Sequence, residues 1–216
     1  HAHALLHTGD LAQEAVTSTY TRYLNQIAQL AMPSFQVPGN HDDIRSFPFY
    51  QQQNTVHVID FTAWSLVLLN SAVPHKVDGW VNEDQLEQLD ALLSARPEQH
   101  IVLGCHHHPF AMQSNWIDQH KLKNSQALTD VLARHSNVKV VLFGHVHQES
   151  WHQWQGIEFF STPSTCVQFK PKSEDFALGK EAPGYRVLHL KHDGSFSTEV
   201  HRLTHLQQNI NVEISG

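Results

Sequence analysis

The chain has 216 residues, a formal net charge of −7 with histidine neutral, and 40% hydrophobic residues. That length suits one domain with a sizeable core, and the negative balance argues against a nucleic-acid backbone as partner. With no apolar run of about 18 residues and no signal-peptide pattern, neither a membrane partner nor export is expected, and the cytoplasm is the expected location. The chain opens with HAHALLHTGDLAQ. Here ALLHT reads as a short buried strand with Gly9-Asp10 at its carboxyl end, where open α/β sheets place their chemistry. A helix is expected from about Glu14 to Ala31, with Val16, Tyr20, Tyr23, Leu24, Ile27 and Leu30 at helical spacing and Pro33 as its stop. SFQV is a strand running into PGNHDD, and the strands TVHVIDF and WSLVLLNS follow, the second apolar enough to be buried on both faces. VNEDQLEQLDALLSARP is a helix that Asn82 caps, with Gln85 completing a capping box and Pro97 ending it. The buried strand HIVLGC delivers HHHP, a helix runs from about Ser125 to His135, and VKVVLFG delivers HVHQ. From there the pattern changes to strand and turn: ESWHQW, the turn Gln155-Gly156, IEFFSTP, YRVLHLK, the turn Asp193-Gly194 and STEVHRL. The fold class is therefore α/β, becoming mostly β towards its end.

Cys105 and Cys166 adjoin apolar segments and are expected to be reduced, buried thiols. Histidine is the compositional outlier, at 19 residues. His57, His100, His120, His135, His152, His189, His201 and His205 occupy no motif and read as surface or satisfied core residues. Others are concentrated in strand-end motifs: Gly39-Asn40-His41-Asp42, His106-His107-His108-Pro109 and Gly144-His145-Val146-His147, which join Gly9-Asp10 as a set of four. Glycine precedes the polar residue in three of them and permits a sharp turn close to a bound group. A carboxylate, an amide oxygen and several imidazoles, with no thiolate, suit divalent manganese, iron, cobalt or zinc. A lone GD or GNHD is a common turn sequence. Four such motifs, each behind its own strand, point instead to a metal site. If extended, His145 and His147 project to the same side, as two adjacent ions require.

This ordered set resembles the signature of the calcineurin-like metallophosphoesterases. TGDLAQ, PGNHDD, WIDQHKLKN, FGHVHQE and TPSTCVQFKP are further similar to the bacterial class III 3′,5′-cyclic-AMP phosphodiesterases, from Ala4 to about Leu203. The resemblance implies a four-layer α/β/β/α sandwich and two divalent metal ions, iron or manganese before zinc or cobalt. By the same resemblance, Asp10 bridges both ions, Asn40, His106 and His145 complete one, and His147 serves the other. His106, the first residue after IVLGC, is preferred to His107. Asn40, His41 and His147 face the substrate, a small cyclic nucleotide. The family's opening motif, D-x-H at the end of a first strand, is not found here, and HAH is no substitute because it precedes the GD strand. The expectation is a single domain over 1–216 that lacks the family's first strand and helix, a unit of about 30 residues or more. The missing strand would lie inside the sheet beside ALLHT. Such a form is expected to be poorly active and to self-associate through a free edge.

The activity so implied is hydrolysis of 3′,5′-cyclic AMP to AMP by a metal-bridging hydroxide. His41 either protonates the leaving oxygen or stabilises charge, and Asp42 orients His41 from behind. His75 in VPHKVDG reads as an exposed loop residue, and STPSTC offers hydroxyls. The rival readings are another phosphodiesterase or a phosphomonoesterase, a catalytically silent metal-binding module, and a histidine-rich metal-sequestering protein.

Overall fold

The computed structural model describes residues 2–49 and 54–205; His1 of the opening His-Ala-His lies outside them. Strands β1 (Leu5–His7) and β2 (Ser34–Gln36) pair in parallel around helix α1 (Thr17–Ile27). A six-stranded sheet follows, built from β3 (His57–Asp60), β4 (Trp64–Leu68), β5 (His100–Gly104), β6 (Val138–Phe143), β7 (Ser150–Trp154) and β8 (Ile157–Ser161) in the order β3-β4-β5-β6-β8-β7. Its four inner strands are parallel, and its two edge strands are antiparallel to their neighbours. Helices α2 (Glu83–Ser94), α3 (Asn115–Asp118) and α4 (Ser125–Leu132) connect these strands, and the hairpin β9 (Gly184–Leu190) and β10 (Phe196–Arg202) ends the chain's regular structure.

Period-two alternation assigns the sheet's two faces to two cores. Val67, Leu103, Val141 and Phe159 face α2 and α4 with Leu89, Leu93, Leu128 and Leu132. Leu66, Leu68, Val102, Val140, Leu142 and Phe160 face the other way, against Leu6, Phe35, Leu188 and Phe196 of the two small sheets. α1 lies beyond β1 and β2, with the Tyr23 hydroxyl 2.8 Å from His7 Nδ1. The layers are thus α/β/β/α, as expected from the sequence. β4 is buried along its whole length.

The second β layer is in two pieces. β1 pairs with β2 alone and β9 with β10 alone among the described residues. Residues of β1 and β9 line one cleft of about 2770 Å³, which also reaches the strand-end motifs. Among the ties that hold the pieces to the large sheet, Trp64 Nε1 donates to the Lys191 carbonyl, Arg186 donates to the Ser161 carbonyl, and the Thr8 and Thr162 hydroxyls meet at 3.1 Å.

Several local expectations need correction. α1 starts at Thr17 and not Glu14, since Val16 is still in extended backbone at the N-cap, where it offers no capping oxygen. It ends at Ile27, short of Pro33, in turns donated by Gln29 and Leu30. Asn82 does cap α2, accepting from the Gln85 amide, but the reciprocal half of the capping box is not made. The Gln85 side chain is buried and pairs instead with the backbone N–H and carbonyl of Asn70, which fixes the loop after β4. Cys105 is buried as expected, whereas Cys166 is exposed. Both are free thiols.

Candidate metal and phosphate site

The carboxyl ends of β1, β2, β5 and β6 converge, and each carries one of the four motifs. Gly9, at φ 103°, turns the chain so that Asp10 enters the cleft in the left-handed region at φ 54°. Any side chain at Gly9 would run into the His106 imidazole, and one at Gly39 into the Asp10 carboxylate. Glycine is therefore required twice by close approach, and once also by backbone angle.

His106 organises the centre. Its Nδ1 lies 2.6 Å from the Thr8 carbonyl and must carry the proton, so Nε2 presents a lone pair. That Nε2 lies 3.1 Å from Asn40 Oδ1 and 3.3 Å from Asp10 Oδ2. Three acceptor atoms facing one another repel unless a cation or a proton lies among them. Electrostatics agree: burial opposes charge on His106, yet the Asp10 carboxylate and its hydrogen bond hold the imidazole above its ordinary value. Burial acts to raise Asp10, but the His106 charge and the His41 amide at 2.9 Å bring it well below the usual carboxylate range.

His145 packs its ring against His106, His107 and His108, with centroids 5.0, 4.7 and 5.6 Å away. Its Nε2 is buried and has no hydrogen-bond partner. Burial and the surrounding imidazoles push its pKa well down, so it is neutral and able to donate a lone pair. Ring nitrogens of His106, His107 and His145 lie within 4.8 Å of one another. His107 differs from His106 in that neither of its nitrogens meets Asp10 or Asn40. Nε2 donates to the Val77 carbonyl at 3.0 Å, and Nδ1 meets the Ser71 hydroxyl at 2.8 Å. His108 pairs with Asp118 at 3.3 Å.

His145 and His147 are not in extended backbone, contrary to the sequence reading. Both have positive φ, 64° and 46°, around a tight turn closed by the Val146 amide and the Gly144 carbonyl. The turn buries Val146 in the core and sends the two imidazoles to different partners. His147 Nδ1 donates to the Val167 carbonyl at 2.9 Å, and its ring lies flat on Phe169 with centroids 4.1 Å apart.

His41 is exposed and lines the cleft. Asp42 does not stand behind it, which corrects the expected orienting role. Its Oδ2 accepts from the Gly39 and Leu11 amides at 2.9 and 3.2 Å, and its Oδ1 from the Tyr20 hydroxyl at 3.0 Å. Asp42 therefore clamps the loops that carry Asp10 and Asn40. His75 is exposed on its loop, as expected. Cys105 is no nucleophile, since burial pushes its thiol up to about 12. The supporting roles of Thr8, Tyr20, Ser71 and Val167 are not legible in the sequence, because a carbonyl or hydroxyl partner contributed by a distant segment carries no local signal.

The family model described as calcineurin-like phosphoesterase matches residues 1–149, the span that holds all four motifs. The chain belongs to this family. It is 42% identical over 200 residues to the 3′,5′-cyclic adenosine monophosphate phosphodiesterase CpdA of Escherichia coli K12, covering 91% of this chain and 73% of that protein. It is 36% identical over 216 residues to the CpdA of Haemophilus influenzae, covering 98% and 79%. A 3′,5′-cyclic-nucleotide phosphodiesterase of Nostoc is 35% identical over 205 residues, covering 92% and 76%. Among solved structures, a dimetal phosphatase from Danio rerio superposes with a TM-score of 0.62 at 15% identity, covering 87% of this chain and 80% of that one, a likeness of fold. Among the described residues no helix is long and apolar enough to cross a membrane.

Proposed function

We propose that the chain is a metal-dependent phosphodiesterase that hydrolyses 3′,5′-cyclic AMP to AMP. The observation that carries this reading is the inward-facing set of Asp10, Asn40 and His106, joined by the unpartnered Nε2 of His145. The names of the relatives supply the substrate class.

The residues fit divalent ions. Nε2 of His106, Oδ1 of Asn40, a carboxylate oxygen of Asp10 and Nε2 of His145 would hold one ion, and Asp10 with Nε2 of His147 would contribute to a second. This oxygen and imidazole set suits manganese or iron, with zinc and cobalt also compatible. Bound there, two ions supply a hydroxide nucleophile at neutral pH and neutralise the phosphoryl oxygens. The chain's own part is positioning: Thr8 and Val167 fix which nitrogen of His106 and His147 is free, as outer partners of metal ligands do. His41 reaches the cleft from the Asn40 loop, where its imidazole donates to a phosphoryl oxygen or to the leaving ribose oxygen. The bond from phosphorus to that ribose oxygen breaks while a bond to the water oxygen forms. A cytoplasmic location belongs to the same reading, consistent with two free thiols.

Metal analysis and cyclic-AMP turnover on one preparation test the reading. The four-ligand site is expected to fill first and the Asp10–His147 position only at higher metal concentration. Titration with manganese, read by electron paramagnetic resonance, should show two unequal affinities. Filling of the His147 position first, shown by loss of the tighter event in His147→Ala, overturns the assignment.

We also propose that 1–216 works as one domain whose slot between β1 and β9 takes a further strand. Among the described residues β1 pairs with β2 alone and β9 with β10 alone, and Leu6, Trp64 and Leu188 line one cleft with them. Extending the N-terminus with a strand that pairs to β1 should raise the melting temperature, reduce self-association and increase turnover. An extended chain no more stable or active than the 216-residue form counts against the slot.

A further inference from the structure

The two stretches that narrow the resemblance to the cyclic-nucleotide subgroup, WIDQHKLKN and TPSTCVQFKP, contribute no residue to the metal set. They meet in space. Phe169, from the second, lies under the His147 imidazole with interplanar angle 1°. Trp116, from the first, stands edge-on to Phe169 with centroids 4.9 Å apart. Phe176 closes the group, 5.1 Å from Trp116 and 5.5 Å from Phe169. All three rings line the cleft beside His147, and Phe176 is 52% exposed.

The group is held in place deliberately. Residues 169–178 form a strap in which Phe169 pairs with Leu178 and the Lys170 amide donates to the Ala177 carbonyl. Its tip is tied to the start of α3: the Asn115 and Trp116 amides donate to the Ser173 and Glu174 carbonyls, and Ser114 Oγ accepts from the Ser173 amide. The indole N–H of Trp116 is buried with no hydrogen-bond partner, so ring contacts orient it. The three rings stand steeply to one another, at 75°, 82° and 71°, so the braced cluster forms an apolar wall whose accessible ring is the half-exposed Phe176, held at little entropic cost.

We propose that Trp116, Phe169 and Phe176 form the platform on which the purine base of the nucleotide stacks. The inference rests on the phosphodiesterase reading above, which sets the phosphate beside His147. The apolar wall starts one ring away from that imidazole, and a nucleotide separates its phosphate from its base by a single sugar. His120 and Lys170, from the same two stretches, also line the cleft. Stacking has no preference for the bond being broken, so the platform serves affinity and substrate choice instead of the chemical step.

The test is calorimetric titration of the manganese-loaded 216-residue chain with AMP and, separately, with ribose 5-phosphate, which lacks the base. AMP is expected to bind about tenfold or more tightly than ribose 5-phosphate, the scale of one base–aromatic stack. Phe176→Ala removes a half-exposed ring and should erase most of that advantage while ribose 5-phosphate binds as before. Trp116→Phe keeps an aromatic surface, so it should retain the AMP preference but lose the part of the tryptophan quench that AMP alone causes. Equal affinities for the two ligands, or equal weakening of both by Phe176→Ala, overturn the platform and leave the phosphate site standing. Absence of binding by either ligand overturns the phosphodiesterase reading and the platform with it.

Discussion

Asp10→Ala is expected to abolish cyclic-AMP hydrolysis and empty the metal site, as is His145→Ala, whereas His41→Ala slows turnover with the metal still bound. Asp10 faces His106 through Oδ2 and receives the His41 amide on Oδ1, so its loss removes the one carboxylate of the proposed ligand set. His145 contributes a buried nitrogen with no hydrogen-bond partner, so its loss removes a ligand of the proposed set. His41 is different: its backbone supports Asp10, but its ring is exposed and, among the described residues, its hydrogen-bonding contact is with Gln13 Nε2, at 3.5 Å. Truncating that ring leaves the amide in place and removes a donor near the phosphate, a loss of about a hundredfold or more in kcat. Metal content by mass spectrometry, measured beside turnover, separates the two classes. Equal metal loss in His41→Ala and Asp10→Ala shows that His41 is a ligand and that this division of roles is wrong.

The second large effect is on stability, at Asp42. Its carboxylate takes three hydrogen bonds, from Gly39, Leu11 and Tyr20, at a buried position. Asp42→Ala strands two backbone amides and a hydroxyl, at about 1 kcal/mol each or more. A total of about 3 kcal/mol lowers the melting temperature by roughly 6–12 °C for a domain of this size. Tyr20→Phe removes one of those bonds and the one its hydroxyl accepts from the Asp43 amide, and should cost about two-thirds as much. Because the clamp also positions Asp10 and Asn40, metal affinity should fall with stability in Asp42→Ala. An unchanged melting temperature together with a shifted pH–rate profile would return Asp42 to the role of orienting His41.

Local patterns in the sequence determined much of this molecule. Apolar runs marked β4, β5 and β6, because strands covered on both faces need no polar alternation. The Asp193-Gly194 turn marked the final hairpin, and the capping of α2 was visible in Asn82 and Gln85. The four metal-suited motifs were legible for the same reason: each is contiguous, and each follows its strand directly.

Tertiary structure decided the rest. That Gln85 leaves the cap for Asn70, and Asp42 leaves His41 for two amides and Tyr20, depends on which segments are brought within 3 Å of them. The choice between His106 and His107 was open along a run of three histidines. Folding separates the two: His107 is engaged by the Ser71 hydroxyl and the Val77 carbonyl, while His106 gives Nδ1 to Thr8 and turns Nε2 toward Asn40 and Asp10, which favours His106 as the proposed ligand. Likewise Trp116, Phe169 and Phe176 are dispersed aromatics until the strap docks on α3. A residue's chemical type is written in the chain, but whether its polar atoms are spent or free depends on neighbours from distant segments, and only the packed fold supplies those.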